Sequence, residues 1–427
     1  MKNKALAVQS ILEVTENRAN RRQVSGHCAA NDMNLFLVNR GVGSLLSIPK
    51  PKSGPKLKSG GALIPGRIAR AALMMVGVAA IWTAMTVPAA AQAFPGIGIV
   101  MTYNVNEGTD FEQVVGTTSV TDFLLGVGQV ITQVQGTNPP ERMRAVAGQI
   151  LSAQPELLSI QEVDQWFTGT YDPVAGTCGT MTLEYDMLKE LLHDLSARGG
   201  RYQVAAQVPQ YVFPPTPGLI PPADYICVAV NDYNVILART DLPAEVFQWS
   251  NPQTGQFVNE LVLPTPVGPV PLPRSWASVD AKFFGHPFLF INTHLESFDP
   301  TIRELQGGEL RAGPASSSLP VIIAMDSNAQ AFPLPKDPTY TDFRADGYHD
   351  VWSRLFPKKA GLTCCQSEPD NNPVSQLYQR IDLVLTLGRV DAFGASLVGT
   401  DPKSRLPDGL WPSDHAALVA DVIVRGR

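Results

Sequence analysis

The feature that most constrains the fold of this sequence is a series of short apolar segments. Nearly every one of them is bounded by a side chain that can bind a metal or move a proton. The segments are rich in β-branched and large apolar residues and have the length of buried strands. Along the chain they read GIGIVMTYNVN, ELLSIQEV, YNVILAR, PFLFINTHLE, PVIIAMDSN, RIDLVLTLG and AALVADVIV. SWASVDAKFF, before Gly285 and His286, is predicted to pair with PFLFINTH as an antiparallel hairpin.

Two segments between these strands have the periodicity of amphipathic helices. Residues 141–154 follow two prolines, and residues 182–200 end at two glycines. Residues 209–222 and 263–273 are rich in proline, which cannot continue a helix or a sheet ladder, so both are predicted to be loops inserted in one domain. Helices that interleave with strands indicate an α/β or α+β protein with a mixed sheet.

Charge is distributed unevenly along the chain. Residues 1–93 carry 12 basic and 3 acidic side chains, whereas residues 94–427 carry 21 basic and 36 acidic ones, a net charge of −15. A protein that holds long polyanions usually has a basic face, so binding of nucleic acid would have to depend on a local patch or on bound cations. With 44% hydrophobic residues, the chain has the composition of a globular protein rather than a disordered one.

The N-terminal region has the pattern of an export signal. Arg67 and Arg70 precede an apolar run over residues 71–85, and Ala91 and Ala93 form an A-x-A cleavage pattern. We therefore predict a signal peptide over residues 61–93 and a secreted or periplasmic protein cleaved near Ala93. Residues 1–60 form a basic, low-complexity leader, which a start site assigned too far upstream would explain. The alternative is a cytoplasmic tail with a retained membrane anchor.

Cysteine usage agrees with export. Four of the five cysteines, namely Cys178, Cys227, Cys364 and Cys365, lie after the predicted cleavage point. An even number of cysteines in an exported chain indicates disulfides. Four cysteines allow three pairings, including a bridge between the adjacent pair, and the sequence does not choose between them. Without CxxC spacing, a zinc site is disfavoured.

The side chains that bound the apolar segments have the chemistry of a metal-assisted hydrolase. They are Asn104, Glu162, His294, Asp326, Asn328, Asp382, Asp414 and His415. Oxygen ligands without cysteine suit a hard cation such as Mg²⁺ or Mn²⁺. Two imidazoles at separate strand ends suit proton transfer near neutral pH. Together these groups predict hydrolysis of a phosphate ester at one edge of a sheet.

Seven motifs in a fixed order carry a resemblance to a known family. MTYNVNEGTD, LSIQEVD, YNVILAR, INTHLES, AMDSN, RIDLVL and PSDH resemble the endonuclease/exonuclease/phosphatase superfamily over about residues 97–424. The resemblance implies a catalytic domain over residues 94–427, folded as a four-layer α/β sandwich with two facing mixed β-sheets flanked by helices. Met325 departs from the family pattern, which has glycine before the Asp of this motif.

The resemblance also implies metal-dependent phosphoester hydrolysis and a metal site. Glu162 would be the main ligand of Mg²⁺, or of Mn²⁺, with Asn104 and Asp414 nearby. Asn234 and Arg239, in the YNVILAR motif, are expected to support substrate binding.

The remaining motif residues are expected to be catalytic. Asp326 and Asn328 would orient the attacking water. Asp382 would fix the tautomer of His415. His294 would be the second imidazole, and the resemblance does not decide which histidine is the acid and which the base. Two acidic neighbours, Asp164 and Glu296, are expected to be solvated.

Three functions compete at this point. The leading one is an exported Mg²⁺-dependent phosphodiesterase, with a nuclease acting on DNA or RNA as one form of it. The second is a sphingomyelinase-like lipid phosphodiesterase, and the third is a secreted binding protein that has lost catalysis. The partner is a phosphate-ester substrate, either nucleic acid or a phospholipid headgroup. No protein partner is predicted, and a monomer is expected.

Overall fold

The computed structural model describes residues 96–367 and 369–426. The predicted leader over residues 1–60 and the predicted signal peptide over residues 61–93 lie outside these residues. Within the described part, no helix is long and apolar enough to cross a membrane.

One large mixed sheet, the first sheet, is built around the N-terminal strand. In the described residues its nine strands are β1 (Gly96–Asn104), β2 (Leu157–Gln161), β3 (Gln165–Asp172), β4 (Thr177–Cys178), β5 (Thr182–Asp186), β6 (Tyr202–Ile220), β7 (Asp224–Arg239), β16 (Val390–Val398) and β17 (Ala417–Val424). The order is β16-β17-β1-β2-β7-β3-β4, with β5 beside β3 and β6 beside β7. β1 and β2 are parallel, whereas β1 and β17 are antiparallel.

A second mixed sheet faces the first. Its six strands in the described residues are β8 (Phe247–Gln256), β11 (Ser275–Phe283), β12 (His286–His294), β13 (Val321–Asp326), β14 (His349–Asp350) and β15 (Asp382–Leu387). The order is β14-β15-β13-β12-β11-β8, with β12 and β13 parallel. The predicted hairpin is confirmed, since β11 and β12 pair antiparallel. A separate hairpin is formed by β9 (Leu261–Thr265) and β10 (Gly268–Leu272).

Helices cover the outer faces of both sheets. They are α1 (Val120–Gly136), α2 (Pro139–Ala153), α3 (Met187–Ala197), α4 (Pro300–Ala312) and α5 (Pro338–Ala345). The short helix α6 (Val351–Leu355) instead contributes Val351 and Trp352 to the core between the sheets. α2 and α3 pack on the first sheet, α4 and α5 on the second, and α1 on the extension formed by β6 and β7. The predicted four-layer α/β sandwich is confirmed.

Strand alternation explains why the sequence segments are apolar throughout. Val100 faces the core between the two sheets, and its neighbour Met101 faces the helices. In β13, Ile322 faces the inner core and Ile323 the outer one. Both faces of each central strand are therefore buried, as in sheets covered by helices. Met325, at the position that departs from the family pattern, packs in the outer core rather than toward the strand end.

The predictions for the proline-rich segments are wrong. Residues 209–220 belong to the long strand β6, and residues 263–273 lie mostly in the β9–β10 hairpin. β6 pairs only with β7 among the described strands, and its register shifts between Pro209 and Val212 and again between Phe213 and Thr216. Proline is tolerated there because an edge strand and a bulge leave N–H groups without a ladder partner.

The helix predicted over residues 182–200 is shorter than expected. Its first five residues form β5, which pairs with β3, and α3 begins at Met187. Asp186 fixes this boundary because its side chain accepts a hydrogen bond of 3.0 Å from the backbone N–H of Lys189. The helix predicted over residues 141–154 is confirmed as α2.

Both pairs of cysteines in the described residues are disulfide-bonded. Cys178, in β4, is bonded to Cys227, in β7, and Cys364 is bonded to its neighbour Cys365. The sequence left three pairings of these four cysteines open, and the structure has the one in which the adjacent cysteines are bonded to each other.

Glu156 generates a prediction about stability. It lies immediately before β2, where its Oε2 accepts a hydrogen bond of 2.5 Å from the N–H of Ile99. Burial raises its pKa to about 7, although this hydrogen bond and the charge of Arg239 oppose the increase. The folded state therefore binds this proton more tightly than the unfolded state, so the stabilising effect is present below about pH 4.5 and is lost as the pH rises through about 7.

We expect the variant Glu156→Gln to be more stable than the wild-type chain at pH 8, by at most a few kcal/mol, since one pKa unit corresponds to about 1.4 kcal/mol. Its free energy of unfolding should also change less between pH 5 and pH 8. Urea unfolding at both pH values measures this, with the exposed Glu245→Gln as the control variant. Equal pH dependence in Glu156→Gln and wild type would contradict the prediction.

Candidate active site

The central strands of both sheets end at the same edge of the sandwich. Asn104 ends β1, and His294 and Asp326 end the parallel pair β12 and β13, where they are in register. The Asn104 Nδ2 group donates hydrogen bonds of 2.6 Å to Glu162 and 2.9 Å to Asp326. Asn104 thus connects Glu162, which follows β2 of the first sheet, with Asp326, which ends β13 of the second sheet.

Glu162 occupies a constrained position immediately after β2. Its backbone φ is 58°, in the left-handed region that residues other than glycine rarely adopt. Its Oε2 accepts a hydrogen bond of 3.0 Å from the N–H of Glu107, which holds the carboxylate at the strand end. Burial and the nearby charge of Asp414 raise the pKa of Glu162 to about 8, because negative charges crowd this edge.

His294 is a neutral imidazole in this environment. Its Nε2 lies 2.9 Å from the Asn328 Nδ2, 3.5 Å from Asp326 and 3.9 Å from Glu162. Burial lowers its pKa to about 3, and the charge of Arg274 adds to the effect. Since the Asn328 amide nitrogen can only donate, Nε2 acts as the acceptor in this contact.

His415 differs from His294 because its surroundings favour the charged form of the ring. Its Nδ1 lies 2.8 Å from an Asp382 carboxylate oxygen, and its Nε2 faces Asp326 at 3.9 Å and Asp414 at 3.8 Å. Burial alone would lower the pKa of His415, but the charges of Asp382 and Asp414 raise it well above its usual value. The pairing with Asp382 fixes the ring so that Nε2 faces the cluster.

The donor set at this edge fits a hard divalent cation. Atoms of Glu162, His294 and Asp326 that can act as ligands lie within 4.8 Å of one another. One oxygen of Asp382 and one of Asp414 are buried without a hydrogen-bond donor. Carboxylate oxygens crowded in this way are ligands that Mg²⁺ and Mn²⁺ prefer.

Buried polar side chains join the two sheets directly beneath this edge. The Asn292 side chain donates to the carbonyls of Ile160 and Val235 and accepts from Gln161 Nε2 at 2.8 Å. Ser159 Oγ donates to the carbonyl of Ala324 at 2.6 Å. These bonds fix the first sheet relative to the second, and therefore fix the distances between the carboxylates above them.

Comparisons with known proteins found matches among solved structures only. No family model matches the sequence, and no curated protein matches it. Solved structures of endonuclease/exonuclease/phosphatase family proteins are similar to this chain. One from Bacteroides thetaiotaomicron matches 78% of this chain and 100% of its own length, at 16% identity and a TM-score of 0.49.

Two further matches are of similar extent. A mannosyl-6-phosphatase from Bacteroides thetaiotaomicron matches 76% of this chain and 98% of its own, at 15% identity and a TM-score of 0.47. A truncated TDP2 from Caenorhabditis elegans matches 77% of this chain and 98% of its own, at 18% identity and a TM-score of 0.43.

The two residues expected to support substrate binding lie in different places. Asn234 is buried at the same edge as the cluster, where it donates to the carbonyl of Ser275 at 3.1 Å. Arg239 lies at the other end of β7, because β7 runs antiparallel to β2 and Ala238 pairs with Leu157. Its guanidinium binds the Asp241 carboxylate. The structure therefore does not bring Arg239 to the cluster.

Several polar residues near the cluster were not identified from the sequence. Asp164 and Glu296, expected to be solvated, are both fully buried. Glu296 forms an ion pair of 3.6 Å with the buried Arg274. Arg274 lies in a segment without a motif, so only its position after a proline-rich stretch marks it. The Cys365 Sγ lies 3.9 Å from His415 Nε2.

The pairing of His415 with Asp382 generates a prediction. Replacing Asp382 by Asn removes the charge that raises the pKa of His415 most among its neighbours, so this pKa should fall by about one to three pH units. Titration of the histidine ring signals by NMR, in EDTA, measures the change. The exposed His349 provides an internal control whose signal should titrate as in the wild type. An unchanged titration of His415 would show that Asp382 does not set its charge.

Proposed function

We propose that this chain is a metal-dependent phosphodiesterase. The observation that carries the proposal is the cluster of Asn104, Glu162, His294, Asp326 and His415, in which crowded carboxylates lie between a neutral and a charged imidazole. Groups that hold a hard cation, orient water and stabilise negative charge are what hydrolysis of a phosphate ester requires.

Glu162 would be the main ligand of the cation, and the Asn104 Nδ2 group fixes its carboxylate beside that of Asp326. Asp414 lies close enough to His415 to contribute charge there. When bound, Mg²⁺ would supply positive charge for the phosphoryl oxygens. Mn²⁺ has the same ligand preference and is the alternative ion.

The chain's own residues supply the proton transfers. The Asp326 carboxylate is fixed by the Asn328 N–H at 2.9 Å and by Asn104, and it orients the attacking water. Burial alone would raise the pKa of Asp326, but the charge of His415 and these hydrogen bonds lower it, which keeps the carboxylate in the ionised form that orients a water. His415, held through Nδ1 by Asp382, gives a proton from Nε2 to the phosphoryl or leaving oxygen. His294 is the neutral imidazole, and because its Nε2 accepts from Asn328, the proton on Nδ1, which has no other partner among the described residues, is the one that would bind a phosphoryl oxygen.

The arginines near the cluster favour a diester over a monoester substrate. Arg142 donates its N–H groups to the carbonyls of Thr137, Val105, Pro412 and Asn106, and the Arg274 charge is paired with Glu296. Neither arginine is free to neutralise the second negative charge that a phosphate monoester carries. A diester, with one negative charge, requires less positive charge from the protein.

We expect purified residues 94–427 to hydrolyse bis(p-nitrophenyl) phosphate in Mg²⁺ faster than p-nitrophenyl phosphate. Glu162→Gln and His415→Ala should each lower kcat/KM by about 10²–10⁴, because they remove a cation ligand and the proton donor. EDTA should abolish turnover. His349→Ala, at an exposed histidine, is the matched control and should keep wild-type rates. Full activity of His415→Ala in a correctly folded chain would refute the assigned site.

Nicking of supercoiled plasmid identifies the substrate class. Nicking by the wild type that is lost in Glu162→Gln would assign a nuclease. The net charge of −15 over residues 94–427 opposes binding of a long polyanion, and salt screens that repulsion. Nicking should therefore not weaken steeply as salt increases, as it would for a protein that binds DNA through a basic face. An enzyme active on the small diester and inactive on plasmid would instead act on small or lipid diesters, which sphingomyelin vesicles then test.

A further inference from the structure

Three buried carboxylates form a second acidic cluster beside the candidate active site. Glu107, Asp164 and Asp232 are 7%, 0% and 0% exposed. Ligand atoms of the three lie within 4.8 Å of one another. This second acidic cluster shares no residue with the active-site cluster, and a hydrogen bond from the Glu107 N–H to Glu162 connects the two.

The fold brings these three residues together from separate elements. Glu107 follows β1, Asp164 lies in the connection between β2 and β3, and Asp232 lies within β7. β7 pairs with β3 up to Asn231 and with β2 from Val235, so Asp232 sits where the connection crosses from one strand to the other. The position of Asp164 is thus determined by the sheet and not by a mobile surface loop.

Three of the buried oxygens of this cluster lack a hydrogen-bond donor in the part of the chain that the structure describes. Neither carboxylate oxygen of Asp164 has a hydrogen-bond partner, nor has the Oδ1 of Asp232. The Oδ2 of Asp232 accepts 3.2 Å from the side chain of Gln210, and Glu107 accepts from the hydroxyl of Tyr211. Buried carboxylate oxygens are almost always paired or bound to a metal, since an unpaired buried charge is costly.

Among the described residues, no positive side chain serves as a counter-charge in contact with the second acidic cluster. Within residues 96–367 and 369–426, no Lys, Arg or His nitrogen forms an ion pair with Glu107, Asp164 or Asp232. Arg274 is the buried cation whose charge acts on Glu107 and Asp232, but its ion-pair partner is Glu296. The cluster therefore has a donor set of oxygens and no counter-charge in contact with it.

We propose that Glu107, Asp164 and Asp232 form a second binding site for a hard divalent cation. Three carboxylates at this spacing, without sulfur or imidazole, are the ligand set of Mg²⁺, Mn²⁺ or Ca²⁺. The proposal concerns binding, and it stands or falls independently of phosphodiester hydrolysis. The competing arrangement is a proton shared between Asp164 and Asp232, which would satisfy the same oxygens without a cation.

Counting bound Mn²⁺ distinguishes the two arrangements. The folded chain, stripped with EDTA and titrated with Mn²⁺, should bind two ions when free Mn²⁺ is followed by electron paramagnetic resonance. Asp164→Asn and Asp232→Asn should each remove one ion or weaken its binding at least tenfold, while the other ion is retained. Glu162→Gln should remove the other ion and leave this one. Competition with Ca²⁺ and with Mg²⁺ then identifies which cation the second site prefers.

Glu190→Gln is the matched control. Glu190 also has a buried carboxylate oxygen without a hydrogen-bond partner but lies on α3, outside both clusters, so this variant should bind two ions. Crystals of the wild-type chain soaked in Mn²⁺ give a direct readout if a variant fails to fold, because an anomalous peak should lie between the three carboxylates. A single Mn²⁺ in the wild type that Asp164→Asn does not affect, or the absence of that peak, would overturn the proposal.

Discussion

The amide of Asn104 connects the two sheets at the edge where their central strands end. One Nδ2 group donates to Glu162, after β2, and to Asp326, at the end of β13. A buried amide donor of this kind requires both acceptors, so it fixes how far apart the two sheets can lie at this end. Asn292 and Ser159 repeat the connection one layer below. A shift of either sheet by one residue would turn these polar groups outward and leave buried donors and acceptors unpaired.

The same architecture gives chemically similar side chains different charges. His294 and His415 are both buried, yet burial and Arg274 keep the first neutral whereas Asp382 and Asp414 keep the second protonated. The difference lies in what each ring contacts, an amide in one case and a carboxylate in the other. Residue type alone therefore could not assign acid and base, and the resemblance to a family left that question open for the same reason.

Much of the fold could be predicted because its signals are local. Short apolar segments rich in β-branched and large residues identified the central strands, and a polar residue at most strand ends identified most of the cluster. The errors arose where the answer depends on distant partners. The prolines of β6 fit a strand only because β7 is their sole neighbour in the described sheet. Asp164 is buried where the chain passes from β2 to β3, next to the point at which β7 pairs with β3. Arg239 was assigned to the site because it shares a motif with Asn234, although an antiparallel strand carries the two to opposite ends.

The crowded carboxylates at this edge also lower the stability of the folded state. Glu162 and Asp382 both have raised pKa values, mainly because burial disfavours their charged forms. Gathering such groups at one edge destabilises the fold, and the apolar cores on both faces of each central strand must offset that cost. A cation that binds the folded chain and not the unfolded one would recover part of it through mass action. The stability of this fold and the occupancy of its acidic edge are therefore linked, because the carboxylates that would bind the cation are the groups whose burial is most costly.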